Sequence, residues 1–375
     1  MSPRVCYYAD RFCYPEGGYL WKFLNWAGGL RSNGCDVIWL EAISPERTPE
    51  ETSAAVSALR KTLDQYGLGR SLSICLTTGD RVTSESEHGC IPFEQAAEAD
   101  LLLSVGYYQT SQRLIDRFRR SALVDYDPGL LQVWMSRAGT KLAAYDVYFT
   151  IGETVGQALS LIPDVGLRWH HIAPCVSLEN WTPAPTRDDA VFTTVTHWWG
   201  DWVDDYDNTK RAAFLPYLDL PTHSPRQLEL AVELEEHKEE HKEDWRLLRH
   251  HGWRVRWAPA VTATPAEYQR YIQNSFAEFS CAKPSCGRLQ NAWVSERTIC
   301  YLASGKPAVV EHTGPSHFLP DSAGVWRFRN MTEAAQALRR VADDYPNQRR
   351  LARALAEEHF DAKKVVSRVL EIALR

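Results

Sequence analysis

Ala277-Glu278-Phe279-Ser280-Cys281-Ala282-Lys283, followed by Trp293-Val294-Ser295-Glu296-Arg297 and by Ala303-Ser304-Gly305-Lys306-Pro307, is the stretch on which the fold turns. Ala277 to Ser280 reads as a short strand. Ser295 carries the side chain of an N-cap, Ser295 to Ser304 runs as a helix, and Gly305 ends it. Pro307-Ala308-Val309-Val310-Glu311 is the next strand. Strand, loop, capped helix and strand make the βαβ unit of a parallel sheet.

The same alternation runs outward in both directions. Val5 to Tyr8 is a first strand, followed by a loop from Ala9 to Gly18 and a helix from about Tyr19 to Ser32. Leu20, Phe23, Leu24, Ala27 and Leu30 recur at helical spacing, and Asn33-Gly34 supplies a left-handed stop. Further strands are expected at Asp36–Leu40, Ser73–Leu76, Leu101–Val105, Ala122–Asp125 and Val147–Thr150. Asn180-Trp181-Thr182-Pro183-Ala184-Pro185-Thr186 reads as an extended linker, because both prolines disfavour a helix before them. A strand at Ala190–Val195 restarts the pattern, with a long charged helix expected over Leu228–His251 and a strand at Trp253–Trp257. Helices at Thr332–Tyr345 and Asn347–Arg375 close the chain.

At 375 residues the chain exceeds the ~250–300 at which single cores stop growing, so two domains are expected. We place them at 1–182 and 188–350, with 351–375 a terminal helix. The fold class is α/β, two Rossmann-like units facing a cleft, and ligands on such sheets sit beyond the carboxyl ends of the strands. Charged residues at 24% and a net charge of −6 indicate a globular chain with no basic excess for nucleic acid. No apolar run reaches the ~18 residues of a membrane span, and the N-terminus has no signal-peptide core. Nine scattered cysteines without CxxC spacing suit a reducing, cytoplasmic setting. Fourteen tryptophans are well above usual content; Trp21, Trp26 and Trp39 read as packing, while Trp198, Trp199, Trp202 and Trp293 fall in loops expected at the cleft.

Post-strand loops carry the candidate chemistry. Gly17 and Gly18, at a helix N-terminus, leave N–H groups open to an anion, although the loop is neither GxGxxG nor a P-loop. Asp10 and Glu16 in that loop are candidate bases, read otherwise as solvated carboxylates. Asp125-Tyr126-Asp127-Pro128-Gly129 is either a carboxylate pair for a cation or sugar hydroxyls, or a turn. Thr196-His197-Trp198-Trp199 follows a strand; Trp198, Trp199 and Trp293 are candidate stacking faces, His197 a third candidate base, and Lys210 a point charge for phosphate. His237-Lys238-Glu239-Glu240-His241 matches a zinc-peptidase pattern but sits in alternating charges typical of an exposed helix, and no metal site is assigned. Glu278, Ser280, Lys283, Ser295, Glu296 and Arg297 form the densest constellation, suited to a diphosphate through fork, point charge and hydroxyl. An Arg297–Glu278 ion pair is the competing reading, and the two are compatible.

These residues resemble the GT-B glycosyltransferases, in particular the bacterial glycosyltransferase family 1-like branch. The resemblance spans most of the chain. It rests on Gly17-Gly18-Tyr19-Leu20-Trp21-Lys22-Phe23, Asp36-Val37-Ile38-Trp39-Leu40-Glu41, Val124-Asp125-Tyr126-Asp127-Pro128-Gly129 and, most strongly, the 277–307 stretch with its Ala-Ser-Gly-x-Pro ending. It implies a nucleoside-diphosphate-sugar donor held mainly by the second unit, and a small-molecule or glycan acceptor on the first. It also implies a final helix that crosses back, and no metal or other cofactor. Retaining members commonly carry a glutamate five residues before the helix-ending glycine; here that position is Cys300, with Glu296 one turn earlier. Inverting members often have a histidine in the first loop, and this loop has none. A nucleotide-sugar epimerase and a non-catalytic nucleotide- or sugar-binding protein are the rival readings on the same scaffold.

Overall fold

Val5, Cys6, Tyr7 and Tyr8 are all fully buried, which only a strand covered on both faces allows. Val5 and Tyr7 enter one core and Cys6 and Tyr8 another, the period-two alternation of a sandwiched sheet. In a computed structural model, described over residues 2–9, 17–82, 89–105, 110–200, 202–234 and 237–375, this strand lies inside the first of two seven-stranded sheets. The first sheet contains β1 (Arg4–Tyr8), β2 (Asp36–Ile43), β3 (Leu72–Leu76), β4 (Leu101–Ser104), β5 (Ser121–Asp125), β6 (Val147–Thr150) and β7 (Trp169–His171). Its order is β3-β2-β1-β4-β5-β6-β7, parallel throughout.

The second half contains β8 (Phe192–Thr196), a hairpin of β9 (Trp202–Val203) and β10 (Tyr206–Asp207), then β11 (Leu228–Val232), β12 (Arg254–Trp257), β13 (Ala277–Ser280), β14 (Ala308–Glu311), β15 (Ser322–Ala323) and β16 (Val325–Phe328). The second sheet runs β12-β11-β8-β13-β14-β16-β15, with β15 alone antiparallel. Two Rossmann-like α/β units are thus present.

Two expected elements are corrected. The helix expected over 347–375 is broken: Tyr345–Leu355 runs into a π turn at Ala356–Phe360, non-helical backbone at Asp361 ends it, and a separate helix, Ala362–Ala373, follows. Residues 228–251 are not one helix: β11 comes first, and the helix spans Glu239–His250. Leu228-Glu229-Leu230-Ala231-Val232 is buried throughout between β8 and β12. Glu229 misled the pattern. It is buried, with its carboxylate receiving Arg254 Nε at 2.9 Å, Arg256 Nε at 3.0 Å and the Tyr271 hydroxyl at 2.8 Å. The hairpin β9–β10, the edge strands β7 and β15, and β16 beside β15 were not read from sequence, being short or lacking an apolar run.

Several contacts join the halves beside the cleft. The 181–186 linker is pinned by cations: Arg353 Nη1 donates to Trp181 O at 2.8 Å, Arg349 Nη2 to Ala184 O at 2.6 Å and Lys306 Nζ to Pro185 O at 2.9 Å. The terminal helix Ala362–Ala373 then packs on the first helix, Gly17–Ser32, so closely that a Cβ on Gly29 would lie 2.6 Å from Val366 Cγ2. At the other side the hairpin lays Val203 against Leu130 and Val133 of the helix Leu130–Arg137, where Arg137 pairs with Asp204.

Candidate functional site

The carboxyl ends of both sheets face one cleft of about 680 Å³. Val105 follows β4 and Asp127 follows β5; His197, Glu233, Ala258 and Lys283 follow β8, β11, β12 and β13, and all six line the cleft. This is where open α/β sheets take ligands.

Cations converge on the wall of the second half. Lys210 opens a short helix capped by Thr209, and its Nζ donates to the carbonyl of Cys281. Only 6% of Lys210 is exposed, and burial, with Arg297 adding repulsion, pulls its ammonium down to about 8. Lys283 stands beyond β13, and Ser285 beside it has a buried hydroxyl with no hydrogen-bond partner among the described residues. Arg297 lies in the first turn of the helix Glu296–Ala303, where Ser295 Oγ accepts the Arg297 N–H at 3.2 Å. Its guanidinium donates to Glu278 Oε1 at 2.6 Å, Val195 O at 2.8 Å and Ser280 Oγ at 2.5 Å. A guanidinium has five N–H donors, so two are left over after these three contacts. The ion pair foreseen as a competing reading is therefore present.

Glu296, at the start of that helix, also lines the cleft; burial pushes its carboxyl up to about 7. Lys22, from the helix of the first half, contributes the largest opposing effect on that carboxyl. The Lys22 ammonium sits 4.4 Å from the Phe23 ring centre, 5.1 Å from that of Tyr126 and 5.6 Å from that of Tyr19. Such aromatic faces attract a cation.

The 125–129 loop forms the facing wall and is held from both halves. Asp125 is fully buried, and burial pushes its carboxyl up to about 7. It accepts Asp127 N–H at 2.9 Å, Gln132 Nε2 at 3.1 Å and Thr150 Oγ1 at 3.1 Å. From across the cleft, Asn291 Nδ2 donates to Pro128 O at 2.8 Å, and Gln290 O accepts Thr154 Oγ1 at 2.9 Å. Gln290 and Ala292 both adopt left-handed backbone, φ 49° and 54°. Non-glycine residues there each cost roughly 1–3 kcal/mol, strain that collects at functional sites.

The expected site residues divide into three groups. Gly18, Thr196, His197, Trp199, Lys210, Lys283, Trp293, Ser295, Glu296 and Arg297 line the cleft together. His197 is half exposed, with Nδ1 3.7 Å from Glu233 Oε2 and its ring 6.0 Å from that of Tyr19. Trp199 is 43% exposed and stacks on His241 at 5.7 Å, while Lys210 Nζ lies 6.0 Å from the Trp293 ring. Four other residues sit behind the walls. Trp198, in the loop after β8, is fully buried, donates Nε1 to Asp244 Oδ2 at 2.8 Å and packs on Phe214, while its neighbour Trp199 stays exposed. Glu278 and Ser280, buried within β13, hold Arg297 and do not face the cleft. Gly17 packs on the other half, where a Cβ would lie 2.5 Å from Thr262 O. Asp10 and Glu16 lie outside the described residues.

Lys22, Ser285 and Asn291 line the cleft without having been singled out from sequence, whereas Asp127 belongs to the carboxylate pair read there as a ligand or a turn. Asp127 had a signal, a carboxylate just past a strand; Asn291 had none. Among the described residues, no group of three or more His, Cys, Asp or Glu could hold a metal ion. The 237–241 segment opens an exposed helix, as its charge pattern indicated. Among the described residues no helix is long and apolar enough to cross a membrane.

No family model matches the sequence, and neither does any curated protein. Solved structures do. An α-glucosyltransferase in complex with UDP and a 13-mer DNA aligns over 100% of both chains at TM-score 0.61 and 11% identity. HepE of Anabaena in complex with UDP-glucose aligns over 99% of each chain at 0.59 and 11% identity. Sucrose-phosphate synthase of Thermosynechococcus elongatus aligns over 99% of this chain and 98% of its own at 0.56 and 10% identity. The fold shared with these structures is the GT-B architecture of glycosyltransferases. At such identities the likeness is one of fold.

Proposed function

We propose that the protein is a glycosyltransferase that moves a sugar from a nucleoside-diphosphate sugar to a hydroxyl of a small-molecule or glycan acceptor. The observation that carries this reading is the convergence of Lys210, Lys283 and Arg297, beside the unpartnered Ser285 hydroxyl, on one wall of the cleft. Glu278 balances Arg297, but burying the Lys210 ammonium without a bound anion is costly, and a diphosphate supplies that charge. Solved neighbours on the same architecture hold UDP and UDP-glucose. As the bond from the anomeric carbon to the phosphate breaks, these three cations meet the charge that develops on the departing diphosphate. No cofactor is invoked. Gly18 and Thr196 border the donor, Trp199 and Trp293 offer ring faces for sugar or base, and Glu296 takes ribose or sugar hydroxyls. His197, at the cleft mouth beside Glu233, is the described member of the three candidate bases. A reducing cytoplasmic setting suits the described cysteines, all free thiols.

A thermal-shift panel of uridine, guanosine, thymidine and adenosine diphosphates tests the reading. A ligand at 100-fold its Kd adds about 2.7 kcal/mol, a plain shift in melting temperature. No shift with any of the four refutes it. Incubating the matching nucleotide sugar alone then separates the rivals, since an epimerase returns an epimer and a binding protein returns the donor unchanged.

A further inference from the structure

The 125–129 loop is more firmly held than a turn requires, and it is held on a particular residue. Asp127 lines the cleft, half-buried, on the wall facing the cations. Glu296 and Cys286 line the same cleft from the far side, and the Asp127 charge adds to the upward shift that burial gives each of them. Beneath it, the buried Asp125 carboxylate accepts the Asp127 N–H and is itself gripped by Gln132 and Thr150. Gln132 closes the bracket by accepting the Gly129 N–H at 2.6 Å. From the other half, Asn291 holds Pro128 O, and it does so from between two left-handed residues. A backbone strained on both sides of one side chain points to a requirement on where that side chain sits.

We propose that Asp127 is the carboxylate that receives the acceptor hydroxyl, with Asp125 and Asn291 as its positioning residues. This rests on the glycosyl-transfer reading above. The hydroxyl donates its hydrogen to Asp127 Oδ and turns its lone pair toward a sugar whose diphosphate lies against Lys210, Lys283 and Arg297. Asn291 belongs to the half that carries those cations, so its bond to Pro128 O adds to the grip of Asp125 once the halves are closed on one another. Orientation of this kind is worth orders of magnitude in rate, and small misplacements are correspondingly costly.

The test uses the full chain, the nucleotide sugar matching the diphosphate that gives the largest thermal shift, and water, glycerol and p-nitrophenyl β-glucoside as hydroxyl probes. Asp127→Asn is expected to bind the nucleoside diphosphate within about twofold of the parent while donor consumption falls about 100-fold with every probe. Asn291→Ala is expected to lower kcat/KM for the hydroxyl probes about tenfold at unchanged diphosphate affinity, as for loss of one hydrogen bond. Asp125→Asn keeps an oxygen for the Asp127 N–H and should retain more turnover than Asp125→Ala, again with diphosphate affinity unchanged; a merely structural role would lower both together. Parental turnover in Asp127→Asn overturns the proposal. So does a loss of diphosphate affinity in step with rate, which would move Asp127 to the donor. A parent protein that binds no diphosphate overturns the functional reading itself and this inference with it.

Discussion

Arg297→Ala separates structure from chemistry at the base of the cleft. Arg297 makes three hydrogen bonds, and its partner Glu278 has a side chain with 0% exposure. Glu278 Oε2 has no hydrogen-bond partner among the described residues, so Arg297 is its counter-charge and its main compensation. Removing one member of a buried pair costs about 3–5 kcal/mol, because the other charge is left unpaired in a low-dielectric site. At roughly 2–4 °C per kcal/mol for a unit of 150–250 residues, the second half should melt about 6–20 °C lower. Glu278→Met/Arg297→Met should recover much of that, since apolar groups of similar volume often replace a buried pair at little cost. The measurement is urea unfolding at neutral pH, with nucleoside-diphosphate affinity recorded on the same samples. An Arg297→Ala variant within 1 kcal/mol of the parent, or a double variant as unstable as the sum of its parts, would refute the reasoning. If the double variant regains stability but not affinity, Arg297 serves both the fold and the donor.

Other expectations follow from the same geometry. Lys210 loses its charge near pH 8, so nucleoside-diphosphate affinity should fall between about pH 7 and 9 in the parent. Lys210→Gln should bind weakly without that slope, and calorimetry across pH settles it. Glu296 is raised from 4.5 to about 7, so the folded chain holds this proton where the unfolded chain has lost it. Stability relative to Glu296→Gln should therefore decline as pH rises from 4.5 to 7 and level off above, measured as the difference in unfolding free energy. Equal pH profiles for the two proteins would remove the assignment. Trp198→Ala should cost about 3–5 kcal/mol in stability, as core aromatics do. Trp199→Ala, by contrast, should leave unfolding nearly unchanged while raising KM for donor or acceptor; the reverse pattern would invert the roles given to these neighbours.

Much of the donor wall was legible in the sequence because its signals are local. Ser295 caps, Gly305 stops and β13 precedes, all within a span where propensity and capping decide the backbone. What those signals do not carry is the direction of a side chain in three dimensions. Glu278 looked like a ligand and is a bracket; Trp198 looked like a platform and is core. Each outcome is set by partners brought from elsewhere, Arg297 for Glu278 and Asp244 for Trp198. The β11 strand was masked by Glu229, a charge that pattern alone assigns to solvent but that Arg254, Arg256 and Tyr271 make tolerable inside.

A chain too long for one core, with apolar runs alternating with amphipathic stretches, was enough to ask for two α/β units and a cleft, because size and periodicity follow from length and order along the chain. The facing wall could not be obtained that way. Lys22 lies about 100 positions from Tyr126 and meets it only once the first sheet is assembled, while Asn291, over 160 positions from Pro128, meets it only when the two halves close on one another. Local chemistry decided which elements form and where they end. Which polar groups share the cleft was decided by tertiary packing, since a buried charge or strained backbone is stable only where its distant partner arrives.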